Sequence, residues 1–247
     1  PPGSYSGVQY MAGIGYYGDV CLLHTDESVT CLQNLPPSWL SNVVKLTTGG
    51  NHTCALKSDG TVECWGDTYY GVLSIPSGLN AVKQVSAGYG YTCVLRSNGK
   101  VNCWGKNSNG QTNVPSWLAN VIQISAGWSH VCALKTNGTV QCWWSSSYVP
   151  AGLTGIVDIA TGNGTTCALK SDNSTQCWTW YGLLNGSIGT LAHLPQWLPN
   201  TISPSFDEKK ISIWSDNYYR HNVCHITSTA TVECSRDDNY NYDHGEA

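Results

Sequence analysis

The sequence predicts an all-β chain of six stacked repeats, and three observations carry that reading. Twelve cysteines fall into six pairs with nine residues inside each pair: Cys21 and Cys31, Cys54 and Cys64, Cys93 and Cys103, Cys132 and Cys142, Cys167 and Cys177, Cys224 and Cys234. Ahead of most pairs stands a proline followed six residues later by a branched apolar residue, as in Pro37 and Val43, Pro76 and Val82, Pro115 and Val121, Pro150 and Ile156. Between these marks the apolar residues alternate with period two, the signature of strands. Units of about 40 residues cannot bury both of their faces alone, so they must stack.

Each element of the repeat has a local reason. Val82-Lys-Gln-Val-Ser and Val121-Ile-Gln-Ile-Ser alternate and end at an Ala-Gly, which reads as a first strand followed by a break. Two further runs flank a three-residue apex such as Ser58-Asp-Gly or Thr136-Asn-Gly, and glycine in the last place fits a type I turn closed by a left-handed residue. With Asp59 at the tip, Leu56 faces Val62 and Cys54 faces Cys64; Asn98, Asn137 and Asp172 take the same place in their copies. Directly opposed antiparallel positions bring Cβ atoms close enough for a disulfide. The expected bonds are therefore Cys21 to Cys31, Cys54 to Cys64, Cys93 to Cys103, Cys132 to Cys142, Cys167 to Cys177 and Cys224 to Cys234. Zinc is the competing reading, but structural sites favour two to four residues between ligands, and nine is too many. Each staple closes a short loop and contributes about 2–3 kcal/mol in the chain-entropy picture.

The copies are TCALKSDGTVECWG from Thr53, TCVLRSNGKVNCWG from Thr92, VCALKTNGTVQCWW from Val131 and TCALKSDNSTQCWT from Thr166; those from Val20 and Val223 keep little besides the cysteines. Pro2 and Val8 also fit the proline spacing, so the set of six is expected to close into a ring where the tail after Cys234 meets Pro2. The last copy is expanded: Cys167 and Cys224 are 57 positions apart, against 39 for Cys54 and Cys93. The excess predicts an insertion over 182–210, and a polar tail occupies 235–247, within one domain spanning 1–247.

Composition narrows the class. Hydrophobic content of 41% excludes a disordered chain, the 26 glycines follow no three-residue period, and no apolar run approaches a membrane span. A net charge of −4, with Lys209 and Lys210 the only adjacent basic pair, leaves no electrostatic footprint for nucleic acid. Twelve cysteines beside only 11% charged residues point to an oxidising compartment, and the start at Pro1 reads as a mature secreted protein whose leader has been removed.

The CALKSDGTVECWG segments and the stretch CWGKNSNGQTNVPSWLANVIQISAGWSHVCALK from Cys103 to Lys135 resemble the repeats of the regulator of chromosome condensation family. The likeness is closer to its short-repeat bacterial and extracellular branch, which includes a secreted beta-lactamase inhibitor, and is strongest from Gly49 to Trp178. It implies a β-propeller; the repeats count six blades where the family usually has seven, which leaves seven open. The paired cysteines and the absence of a basic character depart from the nuclear members, so guanine nucleotide exchange does not carry over, and function must be argued from sites.

Little catalytic chemistry is visible. His52 and His130 stand two positions before the first cysteine of their repeats and read as packed, hydrogen-bonded rings; His24, His193, His221 and His225 share no metal-ligand spacing. No nucleophile elbow, zinc-protease motif, phosphate loop or dinucleotide fingerprint occurs. Gly88-Tyr-Gly-Tyr and Gly162-Asn-Gly read as strand-end turns. Asp237, Asp238, Asp243 and His244 lack the spacing of a calcium loop and read as a solvated tail, so no metal and no cofactor are expected.

The aromatic residues carry the candidate binding surface. Trp65, Trp104, Trp143 and Trp178 follow the second cysteine and should pack between blades; Trp39, Trp117 and Trp197 recur two residues after the linker proline and are expected to be structural as well. By contrast Trp144, Trp180 and Trp214 break the repeat. Together with Tyr69, Tyr70, Tyr181, Tyr218 and Tyr219 they form the candidate surface, because tyrosine and tryptophan give large contact area at low entropy loss. N-glycosylation sequons stand at Asn51, Asn137, Asn163, Asn173 and Asn185, with Asn137 and Asn173 at hairpin tips. The loops after the tryptophans, DTYYGVLS, KNSNGQTN, SSSY and WYGLLNGSIGTLAH, diverge over a repeated scaffold. That favours one asymmetric surface, and with it a non-enzymatic extracellular interaction or structural module that docks a protein partner or copies of itself, as an oligomer or filament. A glycan-binding lectin is the alternative, and an enzyme inhibitor ranks third.

Overall fold

The computed structural model describes residues 8–12, 20–144, 148–162, 164–172, 175–179, 212–215, 221–226 and 232–236, the last three segments in their backbone alone. Among these residues lie six three-stranded antiparallel sheets, each formed by strands consecutive in the chain. The first holds β1 (Val8–Ala12), β2 (Cys21–His24) and β3 (Val29–Cys31). The second holds β4 (Val43–Thr48), β5 (His52–Lys57) and β6 (Val62–Gly66), and the third β7 (Val82–Gly88), β8 (Tyr91–Arg96) and β9 (Val101–Gly105). The fourth holds β10 (Val121–Ala126), β11 (Val131–Lys135) and β12 (Val140–Trp143), and the fifth β13 (Ile156–Thr161), β14 (Thr165–Lys170) and β15 (Thr175–Thr179). The sixth is β16 (Ser212–Ser215), β17 (His221–Ile226) and β18 (Val232–Arg236). Each sheet packs on the next in chain order, which makes them the blades of a propeller. The expected insertion over 182–210, most of the tail and the closure at Pro2 fall outside the described residues.

The hairpin register is the one the apex chemistry dictates. Leu56 pairs with Val62 and Cys54 with Cys64, and disulfides join Cys21–Cys31, Cys54–Cys64, Cys93–Cys103, Cys132–Cys142 and Cys167–Cys177 across Cα separations of 4.0–4.1 Å. Cys224 and Cys234 occupy the corresponding register position in the sixth sheet. At the tips of the first four blades an Asp or Asn oxygen accepts from the backbone N–H two residues on, as Asp59 does from Thr61 (2.9 Å) and Asn98 from Lys100 (3.0 Å). In the second to fourth blades the glycine that follows takes the left-handed conformation, with φ of 78° at Gly60 and 77° at Gly99.

The core lies between blades. Ala55 and Trp65 of the second blade pack with Leu23, Ala12 and Cys21 of the first, whereas Leu56 and Val62 pack with Val85, Val94 and Trp104 of the third. The middle strand is therefore buried on both faces, a small residue against the preceding blade and a leucine against the next. The post-cysteine tryptophans serve as expected: Trp65 Nε1 donates to the Asn34 carbonyl (2.9 Å), Trp104 to that of Val72 (2.8 Å) and Trp143 to that of Gln111 (3.1 Å). Each acceptor follows the preceding blade. The linker tryptophans are a correction: Trp39 and Trp117 are each 61% exposed, not core residues. The next residue, Leu40 or Leu118, turns inward against the core instead.

In the third, fourth and fifth blades the outer edge of the first strand is met by side chains of the preceding first strand. Gln84 Nε2 donates to the Ile124 carbonyl (2.8 Å) while its Oε1 accepts from the Ile124 N–H (2.9 Å). Gln123 repeats this two-point contact with Ile159, at 3.1 and 3.2 Å. Two residues further on, Thr47, Ser86 and Ser125 accept from the N–H groups of Ala87, Ala126 and Thr161 at 2.9–3.0 Å. Strand edges are thereby closed without a shared ladder.

Candidate functional site

Antiparallel order gives the blades two ends. The apices between second and third strands, with the linkers that lead into the next first strand, form one face. The turns between first and second strands, with the loops that leave each third strand, form the other. On this turn face a constant glycine, Gly49, Gly88 or Gly127, is followed by a residue that differs between copies, Gly50, Tyr89 or Trp128; the sequence has Asn163 after Gly162, outside the described residues.

That variation builds an aromatic step. Tyr89 and Trp128 stack with centroids 4.3 Å apart and planes 7° from parallel. On the other side a Cβ at Gly50 would come 2.4 Å from Tyr89 Cδ2, so only glycine lets the ring lie over the preceding turn. Lys106 leaves the third strand of the same blade with its N–H on the Gly90 carbonyl (2.7 Å). Its ammonium sits 4.8 Å from the Tyr89 centroid and 5.0 Å from that of Tyr70, each contact contributing about 0.5–1 kcal/mol at a surface. Tyr69 and Tyr70 complete the step on a single 3₁₀ turn, 74% and 56% exposed. Asp67 holds that turn by accepting from the Tyr69 N–H (2.9 Å) and from Asn51 Nδ2 (3.2 Å), which keep its carboxyl below the usual range.

The two repeated histidines lie beneath this face and are structural. His52 Nε2 is 2.7 Å from Thr92 Oγ1, and His130 Nε2 is 2.9 Å from Thr166 Oγ1, each joining its blade to the next. Burial pushes both rings down to about 4, so they are neutral at pH 7. Between the third and fourth blades the pair is replaced at both ends: Tyr91 stands for histidine and Val131 for threonine. The Tyr91 hydroxyl reaches past the valine to the carbonyls of Gly127 (2.9 Å) and His130 (2.8 Å).

Of the surface aromatics expected from sequence, Tyr70 is brought into the cluster and Tyr69 stands beside it. Trp144 is half-buried at the end of β12, in a place where Gly66 and Gly105 stand in other copies. Trp180, Tyr181, Tyr218 and Tyr219 lie outside the described residues, and Trp214 is described in backbone alone. Sequence reasoning missed Tyr89, Trp128 and Lys106. The signal was the variable residue after the constant glycine, read there as a mere strand-end turn. Among the described residues no group of three or more His, Cys, Asp or Glu side chains could hold a metal ion, and no helix is long and apolar enough to cross a membrane.

Residues 43–72, 82–111 and 121–143 match the Regulator of chromosome condensation (RCC1) repeat. No curated protein sequence matches the chain. Among solved structures it is similar to the CRINKLY WD40 ectodomain of the Arabidopsis thaliana receptor kinase ACR4, with a TM-score of 0.62 and 18% identity over 94% of this chain and 82% of that one. The ectodomain of the Physcomitrella patens receptor kinase CR4 gives 0.54 and 22% over 92% and 72%. Yeast RCC1 (Prp20), solved with Kap60, gives 0.63 and 17% over 93% and 70%. At these identities the likeness shows the propeller fold.

Proposed function

From a propeller that carries regulator of chromosome condensation repeats, we propose a non-catalytic extracellular scaffold whose turn face docks a protein. The observation that carries this reading is the continuous run Tyr70, Lys106, Tyr89, Trp128 from the loop leaving the second blade to the fourth blade, built where the repeat is free to vary. Aromatic side chains gathered around one charge are the residue types that dominate binding energy at protein interfaces. The disulfides, one in each of the first five blades, support an oxidising compartment, and two propellers of similar fold are receptor-kinase ectodomains. A multivalent lectin would repeat its pocket from blade to blade, whereas the variable turn position is Gly50, Tyr89, Trp128 and Asn163.

Labelled full-length protein applied to cell-surface and matrix preparations tests this. Replacing Tyr70, Tyr89 and Trp128 with alanine should weaken saturable, protease-sensitive binding at least tenfold, as expected for lost hot-spot residues. A Trp39→Ala, Trp117→Ala variant should bind as before. Equal binding by the turn-face variant rejects this face, and binding that resists protease but yields to free sugar moves the function to glycan recognition. Sedimentation velocity of the purified chain tells a second copy from a different protein as the partner.

A further inference from the structure

The sequons differ in what the fold leaves of them. Asn137 is exposed at the apex between β11 and β12. Its Oδ1 accepts from the Thr139 N–H (3.2 Å) and from Thr139 Oγ1 (2.7 Å), so the turn is held through the oxygen alone. Nδ2 makes no hydrogen bond among the described residues, and a substituent there leaves both contacts standing. Asn51 is the opposite case. It is part-buried, its Nδ2 donates to Asp67 Oδ2 (3.2 Å), its Oδ1 is buried, and Thr53 of the same sequon is fully buried. A sugar on Asn51 would drive apart Asp67 and the turn that presents Tyr69 and Tyr70.

We infer that Asn137 carries an N-linked glycan and that Asn51 does not, an assignment that rests on the secretory reading above. In the reaction Asn137 Nδ2 attacks the anomeric carbon of an oligosaccharide carried on a polyprenyl diphosphate. A C–N bond forms, the C–O bond breaks with its electron pair leaving on the diphosphate, and Nδ2 loses one proton. Of the other described apices, Asp26 and Asp59 have no amide and Asn98 is followed at the second position by Lys100; Asn173, the other sequon at a hairpin tip, lies outside the described residues.

The surroundings of Asn137 give the glycan a task. Its apex is tied to Asn120 through the Thr136 N–H (2.9 Å) and to Ile156 through the Gly138 carbonyl (3.2 Å). Asn120 lies three residues beyond exposed Trp117, and Ile156 adjoins Val157, itself 54% exposed. A hydrated sugar at this point covers apolar surface on the apex face and leaves the turn face open for docking.

The test is glycopeptide mapping of the full chain secreted from a eukaryotic host, with enzymatic deglycosylation in heavy-oxygen water to mark occupied asparagines. The expected map has Asn137 labelled and the Asn51 peptide unlabelled, and Thr139→Ala should remove one glycan mass with the melting temperature nearly unchanged. Disulfide-intact protein with Asn137 unlabelled, or with Asn51 labelled, overturns the assignment while leaving the docking scaffold standing. Native material with reduced cysteines would instead overturn the secretory reading and the assignment with it.

Discussion

Left-handed backbone recurs at three positions among the described blades, and one departure at each shows what the side chain must tolerate. The hairpin apex uses Gly60, Gly99 and Gly138 but has Glu27 at φ 66° in the first blade. The residue before the first strand is Asn42, Asn120 or Gly155, yet Ala81 at φ 51° in the third. After the third strand Gly66 and Gly105 give way to Trp144 at φ 139°. Side chains with a Cβ lose about 1–2 kcal/mol there, partly offset by the greater freedom of glycine in the unfolded chain. Ala81 is kept in place because its carbonyl accepts from the Ser97 N–H (2.8 Å), a bond that recurs between Asn42 and Ser58 and between Asn120 and Thr136. Ala81→Gly and Glu27→Gly should each stabilise by about 0.5–1 kcal/mol, a rise of roughly 1–4 °C in thermal melts of a chain this size. Trp144→Gly should gain a similar amount, and a fall in melting temperature would show that packing of the indole outweighs the strain.

Neighbouring first strands are joined by side chains that imitate a strand. Gln84 with Ser86, and Gln123 with Ser125, present acceptors two residues apart to N–H groups two residues apart on the next blade. At the corresponding place in the second blade stands Lys45, which has no acceptor, while Thr47 still accepts from the Ala87 N–H of the third blade. Gln84→Ala should lose about 1–3 kcal/mol, because it strips one N–H and one carbonyl of their partner at a half-buried edge. Lys45→Gln should stabilise by supplying the missing two-point contact to Val85. Hydrogen exchange at the Ile124 and Val85 amides checks both: faster at Ile124 in the first variant, slower at Val85 in the second.

Across the whole molecule, stability should depend on pH through the buried histidines at two junctions. In the unfolded chain His52 and His130 take up a proton near pH 6.5, but in the fold only near 4, because burial opposes the charge. Between those limits the unfolded state binds more protons, so stability is full above about pH 6.5 and is lost as pH falls through 4. The loss is on the order of 3 kcal/mol for each ring. Melting temperatures measured from pH 7 to pH 4 should fall steeply, and His52→Gln with His130→Gln should flatten that slope. The junction between third and fourth blades should outlast the other two on acidification, because Tyr91 stays neutral throughout this range.

The repeat, the strand order, the hairpin register and the tryptophans between blades were legible because each follows from local spacing: a turn of fixed length sets which residues face one another. Cys54 opposite Cys64 and Leu56 opposite Val62 need only the three-residue apex. The fate of Trp39 and Trp117 was not legible, since a linker tryptophan and its neighbouring leucine both suit a core and only the packed blades decide which turns inward. Nor was the aromatic step. Tyr70, Tyr89, Lys106 and Trp128 belong to different loops, and no spacing rule in the sequence sets Lys106 over Tyr70 and Tyr89 or stacks Tyr89 on Trp128. The sequence by itself determined what one blade is, because a blade is built from contacts within about 40 residues. Tertiary structure alone decided what the blades share: the glutamine contacts between first strands, the histidine and tyrosine junctions, and the face on which the variable turn residues meet. Those depend on the stacking of one repeat against another, and stacking sets distances that no single repeat encodes.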